Sequence, residues 1–255
     1  MRTLRILFMG TLVLVGAALI AMLVPGVTTG IMDRLYRTRY NGHPTDYWMH
    51  ELKNADPHAR QEAVFALGVI GPEAEEAVPE VCALLKDPND RVRCDAALAL
   101  LKMYPASRQA APALAGVLED VHPLARINAA ITLNRLRQDA RPAVPALLKA
   151  LGDTKNNEWV PGFQISIREA LLQALGRATA GSTDGVTALS AALQDDSLPQ
   201  LIRAPCRAAA ARALGEVGPE ARTAVPLLQA ALQDNNGRVR DAAGAALKKI
   251  EPVKE

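Results

Sequence analysis

Residues that carry chemistry are few in this chain, and none is spaced for it. Its 255 residues include three cysteines and four histidines. Cys82, Cys94 and Cys206 form no C-x-x-C pair, which excludes a cysteine-held zinc or dithiol site and leaves no disulfide framework. His43, His50, His58 and His122 lack the H-x-x-x-H spacing that puts two imidazoles on one helix face. No glycine-rich phosphate loop occurs, and the scattered Ser, His and Asp residues compose no triad. No catalytic residue, metal ligand or cofactor site is assigned. An excess of charge is missing too. The net charge is +2, and residues 41–255 carry 24 Lys/Arg against 26 Asp/Glu. A nucleic-acid groove needs a basic face to neutralise phosphates, so nucleic acid is excluded as a partner. The charge is uneven instead: residues 41–100 hold five basic and eleven acidic side chains, residues 101–180 ten and six. Such polarity suits a charged protein partner or a plain solvated surface.

Long apolar runs are absent with one exception, Ile6 to Val24, preceded by Arg2 and Arg5. As a helix this run spans roughly 28 Å at about 1.5 Å per residue, close to the thickness of a hydrocarbon core. Residues 1–30 are therefore expected to form a single-pass membrane anchor, with residues 6–24 in the bilayer. A cleaved secretory signal is the rival reading, but its apolar region is about 7–15 residues long and ends in a small-x-small site, which does not follow here. Arginines flank the run almost equally, with Arg34, Arg37 and Arg39 on the far side. The expected orientation keeps the terminus inside and places the folded body outside the cytoplasm. Residues 31–44 read as a juxtamembrane linker, with Met32, Tyr36 and Tyr40 forming an interfacial belt.

What the chain has in quantity is repetition. Arg60, Arg93, Arg126, Arg168, Arg207 and Arg240 each stand seven residues before a leucine: Leu67, Leu100, Leu133, Leu175, Leu214 and Leu247. Eighteen residues after the first five arginines come Val78, Ala111, Val144, Val186 and Val225, and nine further on come Asp87, Asp120, Asp153, Asp195 and Asp234. The undisturbed period is 33 residues, the mark of a solenoid whose units bury apolar faces against neighbours. Within a unit, Val92, Ala96, Ala99, Leu100 and Met103 make one helical stripe, and Ala111, Leu114, Val117 and Leu118 a second. Gly71-Pro72, Pro105 and Gly218-Pro219 mark the turn between them. Pro79, Pro112, Pro145 and Pro226 suit the first turn of the second helix, where a missing N–H costs little.

The expected fold is all-α: a solenoid of about five helix pairs over residues 45–251, with capping half-units at both ends and a tail at 252–255. Thr45 or Asp46 would cap an opening half-unit that carries Tyr47, Trp48, Met49 and Leu52. Cys206 takes the slot of Val92 and Val239, and Cys82 lies on the Val78/Val81/Leu85 side, so both read as core. Cys94, beside Arg93, is expected to be more exposed.

DPNDRVRCDAALAL and DNNGRVRDAAGAAL closely match D-x-x-x-x-V-R-x-x-A-x-x-A-L-G, and ARQEAVFALGVIG and CRAAAARALGEVG match its second half. In these residues the chain resembles the HEAT family, in the short form named after phycobiliprotein (PBS) lyases. The resemblance implies a structural ladder of hydrogen bonds between units, carried by Asp87, Asp120 and Asp234 with Arg93, Arg126 and Arg240. At Asp56/Arg60, Asp153/Arg168 and Asp195/Arg207 the spacing departs from the frame. The single His50-Glu51 pair speaks against the iron-binding hydroxylases built of similar repeats. The resemblance also implies an alternative function, a bilin lyase-type enzyme or lyase subunit.

Two units are stretched, by nine and by six residues, at 154–164 and 196–205. The valine-to-aspartate spacing never changes, so both insertions follow the second helix and project on one side, as binding insertions of solenoids often do. The first carries Trp159 and Phe163, two of nine aromatic residues. Either they anchor a protein partner, or they fold back to seal the widened joint. The functional expectation is a membrane-anchored, non-enzymatic scaffold for an unidentified protein partner. A solenoid secreted after signal cleavage stays open beside it.

Overall fold

A computed structural model describes residues 38–179 and 182–251. The expected anchor, its orientation and the C-terminal tail lie outside them. Among the described residues, no helix is long and apolar enough to cross a membrane.

The described part of the expected linker opens as a small hairpin, β1 (Arg39–Tyr40) against β2 (His43–Pro44). Asn41 and Gly42 between them both have positive φ, 49° and 78°, the two-residue turn whose twist suits a hairpin. A lone second helix follows, α1 (Thr45–Glu51). The pairs are then α2 (Pro57–Ile70) with α3 (Val78–Ala83), α4 (Asp90–Lys102) with α5 (Ala111–Val117), and α6 (Pro123–Leu136) with α7 (Val144–Gly152). After them come α8 (Ile167–Ala178) with α9 (Thr183–Leu193) and α10 (Gln200–Val217) with α11 (Val225–Ala231). A lone first helix, α12 (Gly237–Ile250), closes the stack. The chain is a mostly helical repeat solenoid of helix pairs.

Short 3-10 turns join the helices within units, at Gly71–Ala77, Ala106–Ala110, Arg137–Ala143 and Gly218–Ala224. Gly71 and Gly218 take φ of 76° and 79°, conformations that cost glycine nothing. In the third unit the same position is held by Arg137, at φ 56°. Pro79, Pro112, Pro145 and Pro226 stand in the first turns of their helices.

Leu67, Leu100, Leu133, Leu175 and Leu214 are fully buried, whereas Leu247 in the last helix is only partly covered. No described unit follows to enclose it. First helices of successive units pack directly on one another. A Cβ added at Gly68, Gly176 or Gly215 would meet Ala99, Ala213 or Ala246 at 3.1, 2.5 and 2.9 Å. Each glycine follows the repeat leucine, and each alanine is the one six residues past the next unit's arginine, so small residues set the unit-to-unit approach. Polar groups bridge the same interface: Asn128 Nδ2 donates to the Cys94 carbonyl (3.0 Å) and Thr132 Oγ1 to that of Ala97 (2.9 Å).

Three local expectations are corrected. Neither Thr45 nor Asp46 caps α1; Pro44 is the N-cap, and Thr45 Oγ1 donates to the Thr38 carbonyl at 3.3 Å. Cys94 is buried (6% exposed), because the flank of α4 outside the apolar stripe is covered by α6; Cys82 is the half-buried one. The second insertion is only partly a loop, since residues 200–205 extend α10 at its start and carry Pro205 inside the helix.

Candidate functional site

The turns that join one unit to the next all lie at the same end of the helix pairs and form an edge. Its frame is a ladder of arginines. Arg93 donates through Nε and Nη2 to Asp120 (2.6 and 2.9 Å) and through Nη1 to the carbonyls of Asp87 (2.9 Å) and Pro88 (3.3 Å). Arg60 does the same to Asp87, at 2.7 and 2.8 Å, and to the carbonyls of Asn54 and Ala55. One guanidinium fork thus ties its own unit's entry turn to the next unit's aspartate. Asn54, not Asp56, occupies the ladder position of the first unit: Asp56 N–H donates to Asn54 Oδ1 as Asn89 N–H does to Asp87 Oδ1. Asp56 is instead the N-cap of α2, in the place that Asn89, His122 and Asn236 take in other units.

Arg168 reaches Asp195 at 3.0 Å, Arg207 pairs with Asp234, and Arg240 donates to the Asp234 carbonyl at 2.7 Å. Burial opposes ionisation of Asp87, yet the hydrogen bonds from Arg60 and from the Asn89 N–H outweigh it, so its carboxyl sits below the usual range. Asp120 is lowered in the same way, by Arg93 and the His122 N–H against burial.

The first insertion changes the ladder at Arg126. On the frame its partner would be Asp153. Instead Nε donates to Asn156 Oδ1 (2.8 Å), Nη2 reaches the Lys155 carbonyl (3.3 Å) and pairs with Glu158. Asn156 is fully buried, and its Nδ2 donates to the Ala150 carbonyl (2.9 Å). Arg168 Nη1 holds the other side, on Asn157 Oδ1 (3.3 Å) and the Leu151 carbonyl (2.6 Å). Two ladder arginines therefore clamp residues 155–158, and Val160 is buried just beyond. Between the clamp and Val160, Trp159 stands 38% exposed. Phe163 is partly buried and packs against the core. The two rings named from sequence are placed differently, one toward solvent and one inward.

Sequence reasoning missed the rest of this edge. Val121 (86% exposed), Leu201 (70%) and Leu232 (37%) lie on it or beside it, in successive joints. The available signal was their place: Val121 follows a ladder aspartate and Leu232 precedes one by two, where polar turn residues are ordinary. A cleft of about 1020 Å³ opens at the second insertion, lined by Leu193, Gln200, Arg203, Leu227, Gln233 and Asn236.

Catalytic and metal chemistry find little support here. Among the described residues, no group of three His, Cys, Asp or Glu could hold a metal ion. Burial raises the thiols of Cys82 and Cys206 to about 11 and that of Cys94 to about 12, which keeps them protonated.

Comparison with known proteins agrees with this architecture. A family model for HEAT repeats matches residues 45–134 and 203–255. A chain in the complex of CpcE and CpcF of phycocyanin lyase from Nostoc sp. PCC7120 is 28% identical, with 83% of this chain and 79% of that one covered, at a TM-score of 0.56. A designed armadillo repeat protein is 20% identical over 80% of this chain and 99% of its own, with a TM-score of 0.56. An engineered protein also matches at 20% identity, covering 81% and 96%, with a TM-score of 0.58. Among curated proteins, none matches the chain.

Proposed function

Because the chain belongs to the HEAT-repeat family, we propose that it is a scaffold, tethered to a membrane through residues 6–24, that binds another protein along the inter-unit edge. The observation that carries this reading is Trp159. Its backbone is clamped on one side by Arg126 and Arg168 and on the other by buried Val160, yet the ring is left in solvent. A rigid exposed tryptophan offers a large contact area at small entropic cost, which is what interface hot spots supply. Val121, Leu201 and Leu232 extend the apolar contact along the edge.

A photoreactive residue in place of Trp159 should give one discrete crosslinked protein in the native host, absent when the same residue replaces exposed Arg222. Trp159→Ala should then weaken binding of that protein by roughly thirtyfold, the equivalent of about 2 kcal/mol, without moving the melting temperature. Phe163→Ala should lower melting instead, since its ring packs inward. Failure to crosslink at 159 would overturn the docking edge. The tether is tested separately: a reporter active only outside the cytoplasm, fused after Glu255, should be active if the N-terminus stays inside.

A second reading, a subunit of a bilin lyase, is favoured by the 28% identity to a chain of the phycocyanin lyase complex. A visible absorbance shift on mixing the protein with a bilin would support it.

A further inference from the structure

The opposite edge, made by the turns within units, has a different character. Tyr104 lies between two guanidinium groups, Arg135 at 5.1 Å and Arg108 at 5.9 Å from its ring centroid. A cavity of about 310 Å³ beside it is lined by Tyr104, Arg137, Asp139, Arg177 and Glu216. The two carboxylates there have partners of their own: Asp139 faces Arg108 at 3.9 Å, and Glu216 binds Lys249 at 2.5 Å. Arg135, Arg137 and Arg177 make no side-chain hydrogen bond or ion pair to a described residue. Three positive charges are thus left over around one cavity.

Helix electrostatics accounts for part of this. Arg135 and Arg177 stand at the same repeat position, in the last turns of α6 and α8, where a cation is favoured by the helix dipole. It does not account for Arg137, which lies past the end of α6. That residue sits at φ 56° and ψ −122°, at the position where Gly71 and Gly218 stand in other units. A charged side chain is kept where the backbone favours glycine, and strain of that kind concentrates at binding sites.

We propose that this edge is a second docking site, built for an acidic, extended segment of a partner protein. Its charges come from three successive units: Arg108 in the second, Arg135 and Arg137 in the third, Arg177 in the fourth. Adjacent helices lie about 8–10 Å apart, so the row is roughly 20 Å long. An extended chain advances about 3.3 Å per residue, and some six residues bearing several carboxylates would cover it. A single small anion would meet only part of the row. Guanidinium forks match carboxylates geometrically, and the Tyr104 ring holds two of the forks in place. Because this edge and the one carrying Trp159 are at opposite ends of the helix pairs, the scaffold can hold two partners at once. The inference does not depend on Trp159.

The test uses the full-length protein and fluorescein-labelled hexaglutamate, followed by anisotropy at about 50 mM salt, where charges this far apart still act together. Binding should weaken at least tenfold in Arg135→Gln/Arg137→Gly/Arg177→Gln and remain unchanged in Arg91→Gln, a control on the other edge. Arg137→Gly alone should weaken binding while raising the melting temperature, an outcome that loss of structure cannot imitate. Equal weakening by Arg91→Gln would reduce the effect to bulk charge and overturn the site. So would absence of binding, a lowered melting temperature in Arg137→Gly, or displacement of the probe by inorganic phosphate as readily as by unlabelled hexaglutamate.

Discussion

An arginine that binds two turns at once makes each ladder residue part of two units. Arg93 and Asp120 are almost wholly covered, with side-chain exposures of 14% and 8%. Removing the guanidinium leaves a buried carboxylate with its partner gone. Arg93→Ala should therefore destabilise by about 3 kcal/mol in chemical denaturation. The same pair sets an acid limit. The carboxyls of Asp87 and Asp120 lie below their ordinary value in the folded chain. Their contribution is complete above the unfolded value of about 3.9 and is lost as pH falls through the lower folded values. The denaturation midpoint should fall steeply below about pH 4 in the natural protein. In Arg93→Ala the fall should be shallower, because Asp120 no longer gains from ionisation.

Between elements, the deciding feature is how closely first helices approach. A Cβ at Gly176 would lie 2.5 Å from Ala213 Cβ and 2.7 Å from its Cα, atoms that cannot swing aside. Gly176→Ala must push α8 and α10 apart and should cost about 1–3 kcal/mol. Gly116, inside α5, has nothing within 4 Å of the same added atom. There the alanine only relieves a helix-interior glycine, so Gly116→Ala should gain about 0.5–1 kcal/mol. Opposite signs for one chemical change, read from two melting curves, would separate close packing from helix propensity. An equal gain in both would mean that the units stand further apart than α8 and α10 do.

Across the whole molecule, stability is shared between neighbours rather than pooled in one core. Leu133 is fully buried in the third unit, with units on both sides. Leu133→Ala should cost about 2–5 kcal/mol through lost transfer energy and a cavity. Its consequence should be local: the units before and after it should unfold at different denaturant concentrations. The two tryptophans report on the two sides, since Trp48 is buried in the opening half-unit and Trp159 stands in the joint after the third unit. Coincident transitions at both rings in the variant would mean that the solenoid behaves as one cooperative body.

The sequence by itself determined the units, their order and most of their boundaries, because each unit restates the same local rules. A stripe of apolar residues, a Gly-Pro turn and a proline in a first helical turn are short-range signals, and several copies agree on each. The repeat leucines could be named as core for that reason. What only the tertiary structure decided is whatever depends on the neighbouring unit. Cys94 is buried because α6 covers a flank of α4 that carries no apolar stripe. Arg126 abandons Asp153 because the inserted chain brings Asn156 closer, and Asn54 displaces Asp56 because the ladder measures distance in space rather than along the chain. Trp159 points outward and Phe163 inward, although four residues separate them, because two arginines from different units grip the chain just before the tryptophan. The row of unneutralised arginines was visible only as a regional excess of basic residues. Local periodicity specifies which face of a helix is apolar; contacts between units decide which remaining side chains are covered, paired or left free to bind.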